Sequence, residues 1–418
     1  MDTNIAIPTR PGLGREFAKL WAAVSASNLG DGVWLVAAPL MAATLTRDPT
    51  LVAGLTFAQR IPWLFFPLIS GALADRLDRR RVMVAVTVSR AVLVGLLGLA
   101  VWTETVSIPM LYAVFFLVST GETLFDTSTA ALLPAIVHRG DLTRANARLA
   151  GTISVTNQFL GLPLGGVLFA RATFLPFALG AAALAMAASV LATLRGSFRP
   201  PHAATQSAGN IRSEIREGII WLWRNSLLRT MTLTLGVLNL TLMTQVSIMV
   251  LFAEDHLGMG STGYVLLLTA SGVGGVLGSL IAERVTRLLG DGMYLRIAVV
   301  LETVIPAVLA INGAPQLAVA TLLLFGMNST IWGVVLVTVQ QRLTPDRLRG
   351  RVQSVFGLIG SGMAAPGALL GGVMAAQLGL TAPFWFSAVV GAMLLPVVWR
   401  EYSNPNVANV LREGCAVD

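Results

Sequence analysis

The run Gly71-Ala72-Leu73-Ala74-Asp75-Arg76-Leu77-Asp78-Arg79-Arg80-Arg81 places six charged residues between two long apolar stretches. Hydrocarbon offers such a strip no partners, so the sequence requires a short water-facing turn between two membrane-spanning helices. Glycine at its head lets helices approach closely, and alternating Asp and Arg can form a charge latch. A plain positive anchor at the inner membrane face is the other reading of its four arginines.

Outward from this turn the composition is that of a polytopic membrane protein. Of 418 residues 55% are apolar and 12% charged, about half the charged fraction of an ordinary soluble domain. Twelve apolar segments fall near residues 17–45, 50–74, 82–103, 107–137, 142–170, 173–195, 227–254, 261–283, 293–312, 315–342, 347–377 and 381–400. Each is near or above the roughly 20 residues that a helix needs to cross about 30 Å of hydrocarbon. The first segment follows Arg10, Arg15 and Lys19 without a small-residue cleavage pattern, so it is expected to be retained.

The net charge of +8 is dealt out to alternate loops and is not gathered in one segment. Of 29 Lys and Arg, 25 lie in or beside the termini and the even-to-odd connections; Arg47 and Arg171 are on the other side, and Arg60 and Arg90 are within spans. The positive-inside rule then places both termini in the cytoplasm and argues against nucleic acid as a partner. The single Cys415 excludes a disulfide framework or a thiolate metal site. His138, His202 and His256 lie in loops or at helix ends, and a membrane haem enzyme wants histidines inside its spans. No nucleotide loop and no nucleophile with a base is present, so neither an enzyme nor a metal or cofactor is expected. Twenty-eight arginines against one lysine hint at a high-GC bacterium, and thus a bacterial plasma membrane.

Two sequence echoes give the internal organisation. Gly71-Ala72-Leu73-Ala74-Asp75-Arg76 returns as Gly278-Ser279-Leu280-Ile281-Ala282-Glu283-Arg284, and the stretch from Asp141 to Gly165-Gly166 returns from Asp346 to Gly371-Gly372. Offsets of 205 to 208 residues, about half the chain, mean that six helices are used twice. The segment near 196–225 opens with Pro200-Pro201 and then repeats Ile211, Ile215, Ile219 and Leu222 at helical spacing, ending in Trp221 and Trp223, as an amphipathic helix on the inner leaflet would. The expected division is a six-helix bundle over 1–200, a linker over 201–225, a second bundle over 226–402 and a tail over 403–418.

These features carry a resemblance. The spacing of Gly71, Asp75, Arg76, Arg79 and Arg80 resembles the signature loop between helices two and three of the major facilitator superfamily, with Asp78 where that family most often has glycine. The weaker copy at Gly278 fits the same family. Gly161-Leu162-Pro163-Leu164-Gly165-Gly166 resembles the kink of its proton-coupled exporters, with the proline displaced by one place. The fold expected is therefore an all-α membrane protein, twelve transmembrane helices in two six-helix bundles related by a pseudo-two-fold axis along the membrane normal, with a midplane site between them. Gly161, Pro163, Gly165 and Gly166, with Pro366 and Gly371 in span eleven, are expected to allow close, bendable helix contacts.

Six ionisable residues lie inside the spans: Asp31, Arg60, Arg90, Glu122, Asp126 and Glu302. Near the midplane each costs at least about 2.5 kcal/mol, so each needs a reason. Helical rise puts Asp31 and Glu122 near the centres of spans one and four and Arg60 about 15 Å down span two, at one shared depth. The resemblance makes those spans border the cavity, so Asp31, Glu122 and Arg60 are the expected proton-coupling groups; for the two carboxylates, a structural ion pair with Arg60 is the other reading. Glu302, in a peripheral span, is expected to be a packed carboxyl. The resemblance also implies that Asp126 pairs with Arg79 when the inner mouth is shut, with Arg90 a second candidate partner. Gly71, Asp75, Arg76, Arg79, Arg80 and Asp126 then form the expected latch.

Asn28, Trp34, Gln59, Phe125, Asn157, Gln245, Asn328 and Trp332 are the expected cavity lining, with helix packing the other role for each. Scattered amides and aromatics in an apolar hollow suit a bulky amphipathic organic substrate; a sugar carrier would want a more polar lining. The expectation is a secondary transporter, driven by the proton gradient, that exports a hydrophobic or amphipathic compound (drug, antibiotic or siderophore) as a monomer in the bilayer. A metabolite importer of the same fold and a non-transporting membrane sensor or scaffold are the alternatives.

Overall fold

The computed structural model describes residues 13–74, 77–196, 198, 219–311, 313–345 and 348–403, with the side chains of 67–74, 139, 349–351, 354 and 361 excepted. Asp75, Arg76, most of the linker and the tail with Cys415 therefore lie outside the described residues.

The helices run in order as α1 (Arg15–Leu45), α2 (Pro49–Ala74), α3 (Arg79–Trp102), α4 (Ile108–Ile136), α5 (Leu142–Arg171), α6 (Leu175–Ala192), α7 (Ser226–Val246), α8 (Gly260–Leu289), α9 (Asp291–Ile311), α10 (Pro315–Leu343), α11 (Arg349–Gly362 continued by Ala364–Leu378) and α12 (Ala382–Glu401). Eleven of them are long and apolar enough to cross a membrane, and α2, 26 residues with Arg60 as its only charge, completes the twelve. No strand occurs among the described residues.

Polar punctuation sets the helix ends. The Asp78 carboxylate accepts from the Arg81 N–H at 3.1 Å and caps α3, which gives a reason for aspartate at a position where glycine is usual. Asn225 caps α7 through the Leu228 N–H in the same way. Two spans are less regular than their apolar runs imply. α5 is π-helical over Ser154–Gly161, directly before Pro163, whose ring and missing N–H disturb the helical ladder. The seventh apolar run stops at Val246 and continues as a short helix, Met249–Leu251, and a π-turn, Phe252–His256.

Helix neighbours repeat between the halves. α1 packs on α5 and α6 as α7 packs on α11 and α12; α2 packs on α4 as α8 on α10; α3 on α6 as α9 on α12. The tandem glycines repeat too, 206 residues apart. A side chain at Gly165 would meet the Val33 carbonyl of α1, and one at Gly371 the Thr244 carbonyl of α7, so the first glycine of each pair joins helices within a half. The second joins the halves to each other: a Cβ at Gly166 would collide with Val265 of α8, and one at Gly372 would lie 2.6 Å from the Ala53 Cβ of α2.

The core is distributed unevenly along the helices. At the end that carries Arg47, one apolar cluster runs through both halves, from Trp34 and Leu55 to Leu251, Leu267 and Phe384. At the end that carries Arg79 each half has its own: Phe17, Met83 and Leu133 with their neighbours in the first, Met231, Leu295 and Val352 in the second. Since burial of apolar surface is the dominant adhesive, among the described residues the shared core that holds the halves together lies at the Arg47 end.

Candidate functional site

Among the described residues the most buried charge is Arg90. It projects from α3, is 1% exposed, and places Nη2 2.6 Å from Oδ1 of Asp31 on α1, itself 5% exposed. Nη1 donates to the Ser27 Oγ at 3.3 Å, and the Trp34 indole N–H donates to the same Asp31 oxygen at 3.2 Å. Room for the arginine stem comes from Gly121 of α4, where a Cβ would lie 2.9 Å from the Arg90 Cγ. The ion pairing expected between Asp31 and Arg60 is thus corrected. Helix rotation turns Arg90 inward onto α1 and points Arg60 into a hollow.

That space is a cavity of about 130 Å³ lined by Asp31, Trp34, Gln59, Arg60, Trp63, Ser119, Glu122 and Asn157. Helical spacing explains the lining: Asp31 and Trp34 are three apart, Gln59 and Trp63 four, Ser119 and Glu122 three, so each helix offers one face. Asn157 comes from the π-helical stretch of α5. Arg60 and Trp63 also line an adjoining cavity of about 280 Å³ that reaches the second half through Asn239 and Met243 of α7 and Ala364 of α11. The two hollows share Arg60 and Trp63 of α2; the first is lined by the first half alone, and the second lies between the halves.

Three ionisable groups here lack the direct partner that Asp31 has. Among the described residues no hydrogen bond or ion pair joins Arg60, Glu122 or Asp126 to another side chain, and both Arg60 and Asp126 are exposed at depths where the spans are otherwise apolar. Glu122 and Asp126, one turn apart on α4, face the same way. Such groups can bind and release a proton, or meet a charged substrate, without first breaking a structural ion pair.

Other expected lining residues are not brought to these hollows. Phe125, 2% exposed, belongs to the core of the first half, and Trp332, 8% exposed, to that of the second. The Gln245 amide lies 3.4 Å from the Thr241 carbonyl and the Asn28 amide donates to the Val24 carbonyl at 3.0 Å, each within its own helix. Asn328 is buried in a separate network: Tyr294 donates to its Oδ1 at 3.0 Å, and its Nδ2 donates to Glu302 at 3.1 Å. These polar groups satisfy neighbours in the packed bundle, which spacing along the chain does not distinguish from lining a hollow. Trp63, Ser119, Leu35, Asn239, Met243 and Ala364 are the lining residues that sequence reasoning missed; the spacing from Gln59 and from Glu122 was the available signal for the first two.

The charged turn behaves as follows. Arg79 donates to the Ala131 carbonyl of α4 at 2.9 Å, and Arg80 donates to the Ala192 carbonyl at the end of α6. The expected contact from Arg79 to Asp126 is not formed in this structure, and Asp75, Arg76 and the surroundings of Gly71 are outside the described residues. Ion pairs that join the halves occur instead at the opposite end, where Arg47 lies 2.6 Å from Glu254 and 3.3 Å from Asp255. The hydrogen bond to Glu254 holds the Arg47 guanidinium above its ordinary range. Arg47 and Glu254 are 207 residues apart, the spacing of the sequence repeat. Equivalent positions of a two-fold arrangement meet near its axis, and here they carry opposite charges.

Two quasi-equivalent six-helix halves, with a charged hollow in the first that adjoins a second hollow between them, have the arrangement of a membrane transporter of the major facilitator fold. The solved structure of the nucleoside transporter NupG matches with a TM-score of 0.72 at 14% identity, over 93% of this chain and 100% of that one. A bacterial homologue of the iron transporter ferroportin matches in its inward-facing state with a TM-score of 0.71 at 16% identity, over 96% of this chain and 100% of that one, and in its outward-facing state with 0.61 at 19% identity over the same shares. The chain belongs to the transmembrane secretion effector family of that superfamily, which matches residues 9–405. Its curated relatives include the multidrug efflux pump Tap of Mycobacterium tuberculosis, 27% identical over 92% of this chain and 91% of the pump, and the enterobactin exporter EntS of Citrobacter koseri, 25% identical over 92% of each. The family and its structural neighbours are transporters, not enzymes.

Proposed function

We propose that the protein exports an amphipathic organic compound by alternating access, driven by protons that Glu122 takes up and releases. The observation that carries this reading is Glu122 itself: a carboxylate at mid-depth, in a cavity beside Arg60, with no ion-pair partner among the described residues. A midplane carboxylate kept without a fixed counter-charge is a functional group by default. Trp34 and Trp63 supply apolar area, and Gln59 and Asn157 supply hydrogen-bonding groups, for a substrate with both characters. Relatives named as a multidrug pump and a siderophore exporter support efflux as the direction.

With both termini cytoplasmic, as the arginine distribution indicates, the Arg47 end is the outer one, and the shared core there marks an inward-facing state. The higher TM-score to the inward-facing ferroportin homologue supports the same assignment. In the opposite state the inner cores would meet, Arg79 would reach Asp126, and the Arg47 pairs would part. Protonation or substrate moves the balance only by its difference in affinity for the two states.

The test is efflux of a fluorescent amphipathic dye from cells or vesicles with an imposed pH gradient. Efflux is expected to stop with an uncoupler and with Glu122→Gln, while the variant still inserts at wild-type level. Efflux that survives both treatments would remove proton coupling through Glu122, and counterflow in the uptake direction only would replace export with import.

A further inference from the structure

Outside the central site, a furrow runs along the outer surface of the first half where α3 and α6 pack together. Its apolar part, about 630 Å³, lies between Val84, Val88 and Val92 of α3 and Ala185, Ser189 and Ala192 of α6. A second hollow of about 630 Å³ adjoins it through Val84 and Ala192 and is headed by Arg80 and Arg81, with Asp78 at its rim. Small α6 side chains keep the furrow open; nearer the Arg47 end it closes, because a Cβ at Gly98 would lie 3.2 Å from Phe177.

We propose that this furrow binds an anionic phospholipid, with the phosphate at Arg80 and Arg81 and one acyl chain between α3 and α6. Length supports the assignment: from Arg81 to Val92 the helix rises about 16 Å, against about 15 Å for the hydrocarbon of one leaflet. Charge supports it as well. Asp78 is occupied as the α3 cap, accepting from the Arg81 N–H, and Arg80 is held in place by the Ala192 carbonyl, so a fixed guanidinium and an exposed one stand at headgroup level. Planar guanidinium groups suit phosphate oxygens. A soluble anion would have no use for the apolar half of the site.

The experiment uses the full chain in detergent and in nanodiscs, with phosphatidylglycerol and phosphatidylcholine of matched acyl chains, and reads bound lipid by native mass spectrometry and by exchange of a labelled lipid. Wild type is expected to retain phosphatidylglycerol preferentially. Arg81→Gln should lower that preference about fivefold, the equivalent of about 1 kcal/mol for one basic residue at an anionic surface. Ala185→Phe, at an exposed position that fills the furrow, should displace both lipids alike. Excess inorganic phosphate should displace neither. Equal retention of the two lipids by wild type, an unchanged preference in Arg81→Gln, or displacement by phosphate alone would each overturn the proposal. Because the readout is lipid and not efflux, its failure leaves the transport reading untouched.

Discussion

The two halves of this transporter share a skeleton and divide the chemistry. Gly165-Gly166 and Gly371-Gly372 occupy equivalent places and pack in equivalent ways, one glycine inside its half and the next across to the other. What stands at mid-depth is not equivalent. The first half holds the Asp31–Arg90 pair with Arg60, Glu122 and Asp126 nearby, whereas the second holds the hydrogen-bonded set Tyr294, Asn328 and Glu302. Duplication preserves what backbone contact demands, since a carbonyl against a glycine tolerates no side chain. It leaves charged positions free to diverge, because they are held by function and by local partners.

The sharpest way to break this comparison is to neutralise one carboxylate in each half. Glu122→Gln should bring coupled efflux down to background, while Glu302→Gln, which keeps an acceptor for the Asn328 amide, should leave most of it; equal losses would mean that the second half also carries protons. Next in size is the buried pair. Asp31→Asn or Arg90→Met alone leaves an uncompensated buried charge and should lower stability by about 3–5 kcal/mol, visible as lost folded yield, while Asp31→Leu with Arg90→Met should recover most of it. A pair that serves coupling as well as structure would show recovered folding without recovered transport.

The tandem glycines sharpen the comparison at a smaller scale, since overpacking costs about 1–3 kcal/mol. Gly371→Ala forces α11 off α7 and should lower the unfolding temperature of the purified protein. Gly372→Ala acts between halves and should instead open the Arg47 end, seen as increased labelling of a cysteine placed beside Ala53, with the unfolding temperature nearly kept. Smallest of all is the exposed pair at the axis. Arg47→Ala should shift the balance of states by no more than about 1 kcal/mol, and the exchange Arg47→Glu with Glu254→Arg should restore the wild-type labelling pattern.

Much of the fold was legible before any coordinates. Twelve apolar runs and the 205 to 208 residue echo follow from local chemistry, in which a stretch either suits hydrocarbon or does not. The site was legible only in part. Asp31, Trp34, Gln59, Arg60, Glu122 and Asn157 do line one hollow, but Phe125, Asn328 and Trp332 turn into cores that the same spacing permits. Azimuth is what the sequence leaves open, because depth along a helix follows from counting residues while the direction a side chain faces depends on every neighbouring helix.

By itself, then, the sequence determined the number of spans, their duplication and the shared depth of Asp31, Arg60 and Glu122, since these depend on transfer from water to hydrocarbon and on helical rise one residue at a time. Only the tertiary structure decided that Arg90 and not Arg60 neutralises Asp31, that Glu122 has no ion-pair partner among the described residues, and that the halves share a core at the Arg47 end. Those outcomes rest on contacts between residues tens to hundreds of positions apart, fixed by helix rotation and by where glycine lets two backbones touch.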